Sequence, residues 1–162
     1  MISEKMTKQL NKQINEELFS SYLYLSMSAY FADESLDGFA HWMMKQSQEE
    51  YEHGMKIFGY LTDIGAKVEL DKIDKPELKW KSAEDAFKAA LKHEIHITDC
   101  INKLTDLAYE EKDHATRGFL AWFVQEQVEE VSSATAIVDK FKMVGENKTA
   151  LYMLDRELGS RA

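Results

Sequence analysis

The sequence predicts an all-α protein: a bundle of four long helices followed by a short fifth helix at the C-terminus. Three observations carry this prediction. Turn formers are scarce, with one proline (Pro76) and seven glycines in 162 residues, too few for a loop-rich or disordered chain. Between the breakers lie four segments of about 26 to 30 residues rich in Leu, Ala, Glu, Lys, Gln and Met, residues that favour helix. Each segment repeats apolar residues at three- and four-residue spacing, and none alternates with period two.

The breakers place the helices at about 4–33, 37–65, 83–111 and 115–144, with the fifth at about 148–158. The first runs to the turn cluster Asp33-Glu34-Ser35-Leu36-Asp37-Gly38 and carries the stripe Leu10, Ile14, Glu17, Ser21, Tyr24, Ser28, Phe31. The second starts with Asp37 as its expected N-cap, ends near Gly65, and reads Phe39, Met43, Gln46, Glu50, His53, Ile57, Leu61, Ile64. The third follows a polar stretch from Ala66 to Lys81. Ser82 is its expected N-cap, and Glu84 and Asp85 lie in the first turn, where the helix dipole favours acids. Its stripe is Phe87, Ala90, Glu94, Ile97, Ile101, Leu104, Ala108. The fourth, after Lys112-Asp113-His114, reads Phe123, Gln127, Glu130, Ala134, Ile137, Phe141, Val144, and Gly145 separates it from the fifth.

Connection lengths set the topology. A helix of about 29 residues is about 43 Å long, and the stretch 66–82 spans about 55 Å when extended. A long crossover therefore joins helices two and three, leaving them parallel, while short links make one–two and three–four antiparallel. Glu17, Glu50, Glu94 and Glu130 then fall at one level near mid-bundle.

Each stripe is apolar at its ends and interrupted by a carboxylate, and none contains Lys or Arg. An inward Glu without a partner costs several kcal/mol or takes up a proton. Four such interruptions, one per helix, point to a shared cation. Glu50-x-x-His53 puts a carboxylate and an imidazole one turn apart on one face, and Gln127-x-x-Glu130 does the same with a carboxamide. With Glu17 and Glu94 the set holds four carboxylates, one imidazole and one amide. Such oxygen-rich ligation suits Fe(II), Mn(II) or Zn(II). Four negative charges balance two divalent ions, and two metals held close together can reduce O₂ between them.

Composition excludes other classes. Asp and Glu number 29 against 20 Lys and Arg, a formal charge of −9, which disfavours a nucleic-acid or anionic-membrane partner. The lone Cys100 supplies neither an intrachain disulfide nor a multi-thiolate site and fits a reducing compartment. The N-terminal residues Met1-Ile2-Ser3-Glu4-Lys5-Met6 lack the apolar run of a signal peptide, and no apolar stretch approaches about 18 residues. The expectation is a cytoplasmic domain covering 1–162. No phosphate loop or nucleophile elbow is present. His93 and His96, either side of Glu94, read as surface histidines. Met43, Met44, Met55 and Trp122 read as packing residues.

These residues carry a resemblance to the ferritins, especially the bacterial non-haem type, over essentially the whole chain. The matching pieces are Asn15-Glu16-Glu17-Leu18, Tyr24-Leu25-Ser26-Met27-Ser28-Ala29, Glu49-Glu50-Tyr51-Glu52-His53, His93-Glu94, Leu120-Ala121-Trp122-Phe123 and Glu126-Gln127-Val128-Glu129-Glu130. Metal sites in the bundle core are the known pattern of ferritin-like carboxylate proteins.

The resemblance implies a ferritin-like diiron domain with a ferroxidase centre. In it Glu17, Glu50 and His53 hold the first iron, and Glu94 and Glu130 hold the second. Glu50 bridges the two, and Gln127 stands beside them within reach of a bound oxygen species. Tyr24 is either a hydrogen-bond or electron donor to the centre or a core aromatic. Glu49, Glu126 and Glu129 match the acids of a third iron site, or else form a solvated acidic face. The resemblance further implies a 24-subunit shell storing ferric oxyhydroxide, formed from Fe(II) with O₂ or peroxide, with the fifth helix lining a four-fold axis.

Departures from related families narrow the match. Tyr51 stands where bacterioferritins carry a haem-ligating Met, so haem is not expected. Rubrerythrins need paired Cys-x-x-Cys motifs, and mini-ferritins lack the fifth helix. Arg117 and Leu120 replace the acidic pair lining the three-fold channel of animal ferritins, which leaves that iron route in question. Two alternatives remain from the residues: a diiron oxidase or oxygenase acting on an organic substrate, and a non-enzymatic helical bundle for protein interaction.

Overall fold

Side-chain caps set most of the helix starts. Ser3, Ser82, Asp113 and Asn147 each accept a hydrogen bond from the amide three residues on, at 2.9–3.1 Å, satisfying a donor with no partner inside the helix. In this computed structural model residues 2–162 are described, and Met1, the first residue of the expected domain, lies outside them. The chain forms α1 (Glu4–Asp33), α2 (Asp37–Asp63), α3 (Ala83–Glu110), α4 (His114–Val144) and α5 (Lys148–Leu158).

These bounds match the sequence reading with small shifts. α2 stops at Asp63, two residues early, because Gly65 at φ +71° turns the chain and the Ala66 amide closes onto Leu61 O at 2.9 Å. This is the six-to-one bond of a glycine-terminated helix. α3 ends one residue early at Glu110, and α4 starts one residue early because Asp113 caps it.

One cap is a correction. Asp37 is the first residue of α2 rather than its cap, and Leu36 at the cap position offers no side-chain bond. The carboxylate that serves this helix end comes from α5: Asp155 Oδ1 accepts from the Phe39 amide at 2.9 Å. Gly38 permits the approach, since a Cβ there would lie 1.7 Å from Asp155 O.

The 64–82 crossover runs alongside α1 from its start to its end. Asn11 Nδ2 donates to Lys67 O (2.9 Å), Asn15 Nδ2 to Lys72 O (2.9 Å), Ser26 Oγ to Glu77 O and Tyr30 Oη to Trp80 O (3.3 Å). The chain thus returns to the bundle end where α2 began, which makes α2 and α3 parallel. Apolar packing falls into two clusters at opposite ends of the bundle. One includes Tyr24, Met27, Phe31, Phe39, Met43, Phe87 and Phe141, the other Met6, Leu10, Ile14, Ile57, Leu61, Ile97 and Phe123. Between them lies a polar belt. Among the described residues no helix is long and apolar enough to cross a membrane.

Candidate metal centre

The belt is built by the four stripe interruptions. Glu17 from α1, Glu50 and His53 from α2, Glu94 from α3, and Gln127 and Glu130 from α4 are all buried, as are Gln13, Ser20 and Gln46 beside them. No Lys or Arg is buried among the described residues, so the acids have no enclosed cationic side chain to neutralise them.

The donor atoms converge in three overlapping groups: Glu17–Glu50–His53, Glu50–Glu94–Glu130 and His53–Glu126–Glu130. Within each, one ligand atom per residue lies within 4.8 Å of the others. Glu50 belongs to the first two groups, the arrangement of a bridging carboxylate. His53 Nδ1 lies 3.2 Å from Glu50 Oε2, and its Nε2 lies 3.9 Å from Glu126 Oε1.

Neutral donors orient the acids. Gln13 Nε2 donates to Glu17 Oε1 (2.8 Å), Gln46 Nε2 to Glu130 Oε2 (2.9 Å), Gln127 Nε2 to Glu94 Oε2 (3.3 Å), and the Tyr24 hydroxyl to Glu94 Oε1. Yet Glu17 Oε2 and Glu50 Oε1 are buried without any hydrogen-bond partner among the described residues. Two ionised carboxylates about 4.8 Å apart repel by about 3.5 kcal/mol at an effective dielectric of about 20, whereas one neutral hydrogen bond contributes about 1 kcal/mol. Amide donors alone cannot hold four charges here; protons or cations must.

The titration behaviour follows. Burial pushes Glu17 up to about 7, only partly offset by the hydrogen bond from Gln13, and pushes Glu130 up to about 8 with Glu94 adding to it. Burial also raises Glu94, and raises Glu50 well above the usual carboxylate range with Glu94 and Glu17 adding repulsion. Burial, then Lys56, lowers His53 to about 4, leaving a neutral imidazole with a free lone pair. Tyr24 is driven well above its ordinary value by burial and by Glu94, so it remains a hydrogen-bond donor.

The outlying acids are placed less uniformly. Glu126 is half-buried at the rim, next to His53. Glu129 is exposed and joins none of the three groups. Glu49 is half-buried and accepts from Arg161 Nη2 at 2.7 Å. The same nitrogen donates to Gln46 Oε1 at 2.7 Å, so the C-terminal tail reaches Glu130 through one amide. Sequence reading missed Arg161, and no local signal marks it, because it lies 112 positions from Glu49. Gln13 was findable, four residues before Glu17 on the same helix face.

His93 is a correction. Far from being a surface residue, it sits half-buried between α1 and α3, with Nε2 2.6 Å from Ser20 Oγ and its ring edge-on to Tyr24. Of the residues read as packing, Met43 is buried, Met55 half-buried and Met44 exposed. Trp122 is 39% exposed, and its ring meets His53 edge-on at 5.3 Å, so it packs against a candidate ligand.

Comparison with known proteins is decisive at the family level. The family model of the ferritin-like domain matches residues 7–144. The chain belongs to the ferritin family. It is 45% identical over 161 residues to a bacterial non-heme ferritin of Bacteroides fragilis, covering 99% of this chain and 100% of that protein. It is 37% identical to a bacterial non-heme ferritin of Staphylococcus aureus, covering 99% and 97%. Among solved structures, an open pore ferritin of the hyperthermophilic archaeon Archaeoglobus fulgidus superposes with a TM-score of 0.99 at 47% identity, covering all of both chains. The four-helix bundle expected from the stripes and the crossover, and the ferritin fold implied by the resemblance, are the observed ones, with the fifth helix docked on the N-terminal end of α2.

Proposed function

We propose that this ferritin is an iron-storage ferroxidase, a single ferritin-like diiron domain over 1–162. The carrying observation is the buried carboxylate belt with two unpartnered oxygens, Glu17 Oε2 and Glu50 Oε1, and no buried cationic side chain among the described residues. A pair of divalent ions supplies the missing charge.

In this reading Fe(II) is substrate. The first ion is held by Glu17, Glu50 and His53, the second by Glu50, Glu94 and Glu130, as the overlapping groups of donor atoms support. Each Fe(II) gives one electron to O₂, which takes two protons and leaves as hydrogen peroxide; peroxide as oxidant accepts the same two electrons with two protons and leaves as two waters. Carboxylates favour the product because Fe(III) is the harder cation. Gln127 holds Glu94 in place, as does Tyr24. In the same reading Glu126, beside His53 at the rim, takes up the oxidised iron on its way to the mineral, together with the exposed Glu129 and with Glu49 once it is released from Arg161.

Storage requires an enclosed volume, and the proposed assembly is a cytoplasmic shell of 24 identical chains around ferric oxyhydroxide. α1 and the crossover beside it expose Tyr22, Leu25, Leu70, Ile73 and Leu78, apolar side chains that contacts between copies would cover.

The double variant Glu50→Ala, His53→Ala tests the reading by stopped-flow absorbance after mixing with Fe(II) and O₂. Loss of two ligands should slow the fast phase by more than about 100-fold, since even outer-shell changes cost 10- to 100-fold. Size-exclusion elution should stay unchanged. Undiminished fast oxidation in the variant would contradict the assignment.

A further inference from the structure

A second group of metal-ligating side chains lies outside the belt, in a groove of about 440 Å³ between α1 and α3. His96 and Cys100 are four residues apart on α3 and so share a helix face, and Glu16 faces them from α1. His96 Nε2 lies 2.9 Å from Glu16 Oε2 and 3.7 Å from Cys100 Sγ, and all three donor atoms fall within 4.8 Å of one another. One ring nitrogen carries at most one proton and cannot donate to both neighbours; a cation between them satisfies all three.

We propose that Glu16, His96 and Cys100 bind one divalent ion of borderline softness, such as Zn(II), Co(II) or Fe(II), at a site separate from the central pair. The sulfur–nitrogen spacing fits: metal–sulfur and metal–nitrogen bonds of about 2.3 and 2.1 Å in a tetrahedron put S and N about 3.6 Å apart, close to the 3.7 Å observed. The Glu16 oxygen, now at hydrogen-bond distance from His96, moves out to about 3.4 Å to ligate. Thiolate with imidazole and carboxylate discriminates against Mg(II) and Ca(II), and the two negative charges match one divalent ion. The fourth position opens to the groove and takes water.

Burial, with Glu16 adding to it, pushes the Cys100 thiol up, so the incoming ion displaces a proton to solvent. Lys12 and Lys103 flank the groove and temper the negative charge. Gln13 lines the same groove and donates to Glu17, so a bound ion lies one side chain away from the centre. The site does not depend on the ferroxidase reading.

The test uses the assembled, metal-stripped protein titrated anaerobically with Co(II). The central donors include no sulfur, so a thiolate-to-cobalt charge-transfer band reports this site alone. The band should saturate at one Co(II) per chain and vanish in Cys100→Ser. In His96→Ala and Glu16→Gln its apparent affinity should fall by at least about tenfold. If a variant does not assemble, alkylation of Cys100 in the wild type gives the same answer, with Zn(II) expected to protect the thiol. Absence of the band at saturating Co(II), no protection by Zn(II), or equal affinity in His96→Ala and Glu16→Gln would overturn the proposal. Each leaves iron oxidation at Glu50 and His53 to be judged separately.

Discussion

Glu130 and His53 are displaced in opposite directions from their ordinary values, Glu130 up to about 8 and His53 down to about 4, and both shifts favour a cation. A raised carboxyl means that the folded chain keeps a proton the unfolded chain has lost. The metal-free fold therefore loses stability as pH rises from about 4.5 to about 8. A lowered imidazole acts at the other end: its neutral form supports the fold above about 6.5 and that support is lost as pH falls toward 4. Near neutrality, metal binding at the belt must expel protons from the carboxyls and none from His53. In a pH-stat titration with Zn(II) at pH 7, wild type should release more protons than Glu130→Gln, and the difference should vanish near pH 9.5. Equal release at pH 7 would show that Glu130 is already ionised in the metal-free protein. The belt residues themselves were legible in the sequence because each interrupts an apolar stripe at its own level. Arg161 and Asp155 were not, because their partners are more than 100 positions away and no helical period connects them.

Among the helices, α5 has the least conventional attachment. It docks by lending Asp155 to the amide of Phe39 and by packing its backbone against Gly38. Asp155→Ala removes a buried acceptor from the start of α2 and should cost about 1–2 kcal/mol. Gly38→Ala should be more severe, because its Cβ would overlap Asp155 O and push α5 away. Hydrogen exchange by mass spectrometry should show faster exchange over Lys148–Leu158 in both variants, with protection of α1, α3 and α4 kept. Unchanged exchange in Gly38→Ala would mean that α5 is held elsewhere. Local signals found Ser82 and the stop at Gly65, since a cap and a left-handed glycine are read within a few residues. The same signals misplaced Asp37, because the cap it resembled is supplied from the other end of the chain.

At the scale of the molecule, two apolar clusters hold the bundle at its ends and leave the middle to charge. This division explains how one bundle carries several buried acids: packing at both ends fixes the helices, and the belt need only be neutralised. Exposed apolar residues on α1 and the crossover then remain for contacts between copies. The shell should appear in analytical ultracentrifugation as 24 copies of an 18.7 kDa chain, about 450 kDa, and should take up many irons per chain under air. A small dimer holding two irons per chain would instead favour a diiron oxygenase. Anomalous diffraction at the iron edge, from crystals soaked anaerobically in Fe(II), locates the two irons directly. We predict two strong peaks inside each bundle, one among Glu17, Glu50 and His53 and one among Glu50, Glu94 and Glu130; iron found only at surface acids, with no peak in the belt, would contradict this placement.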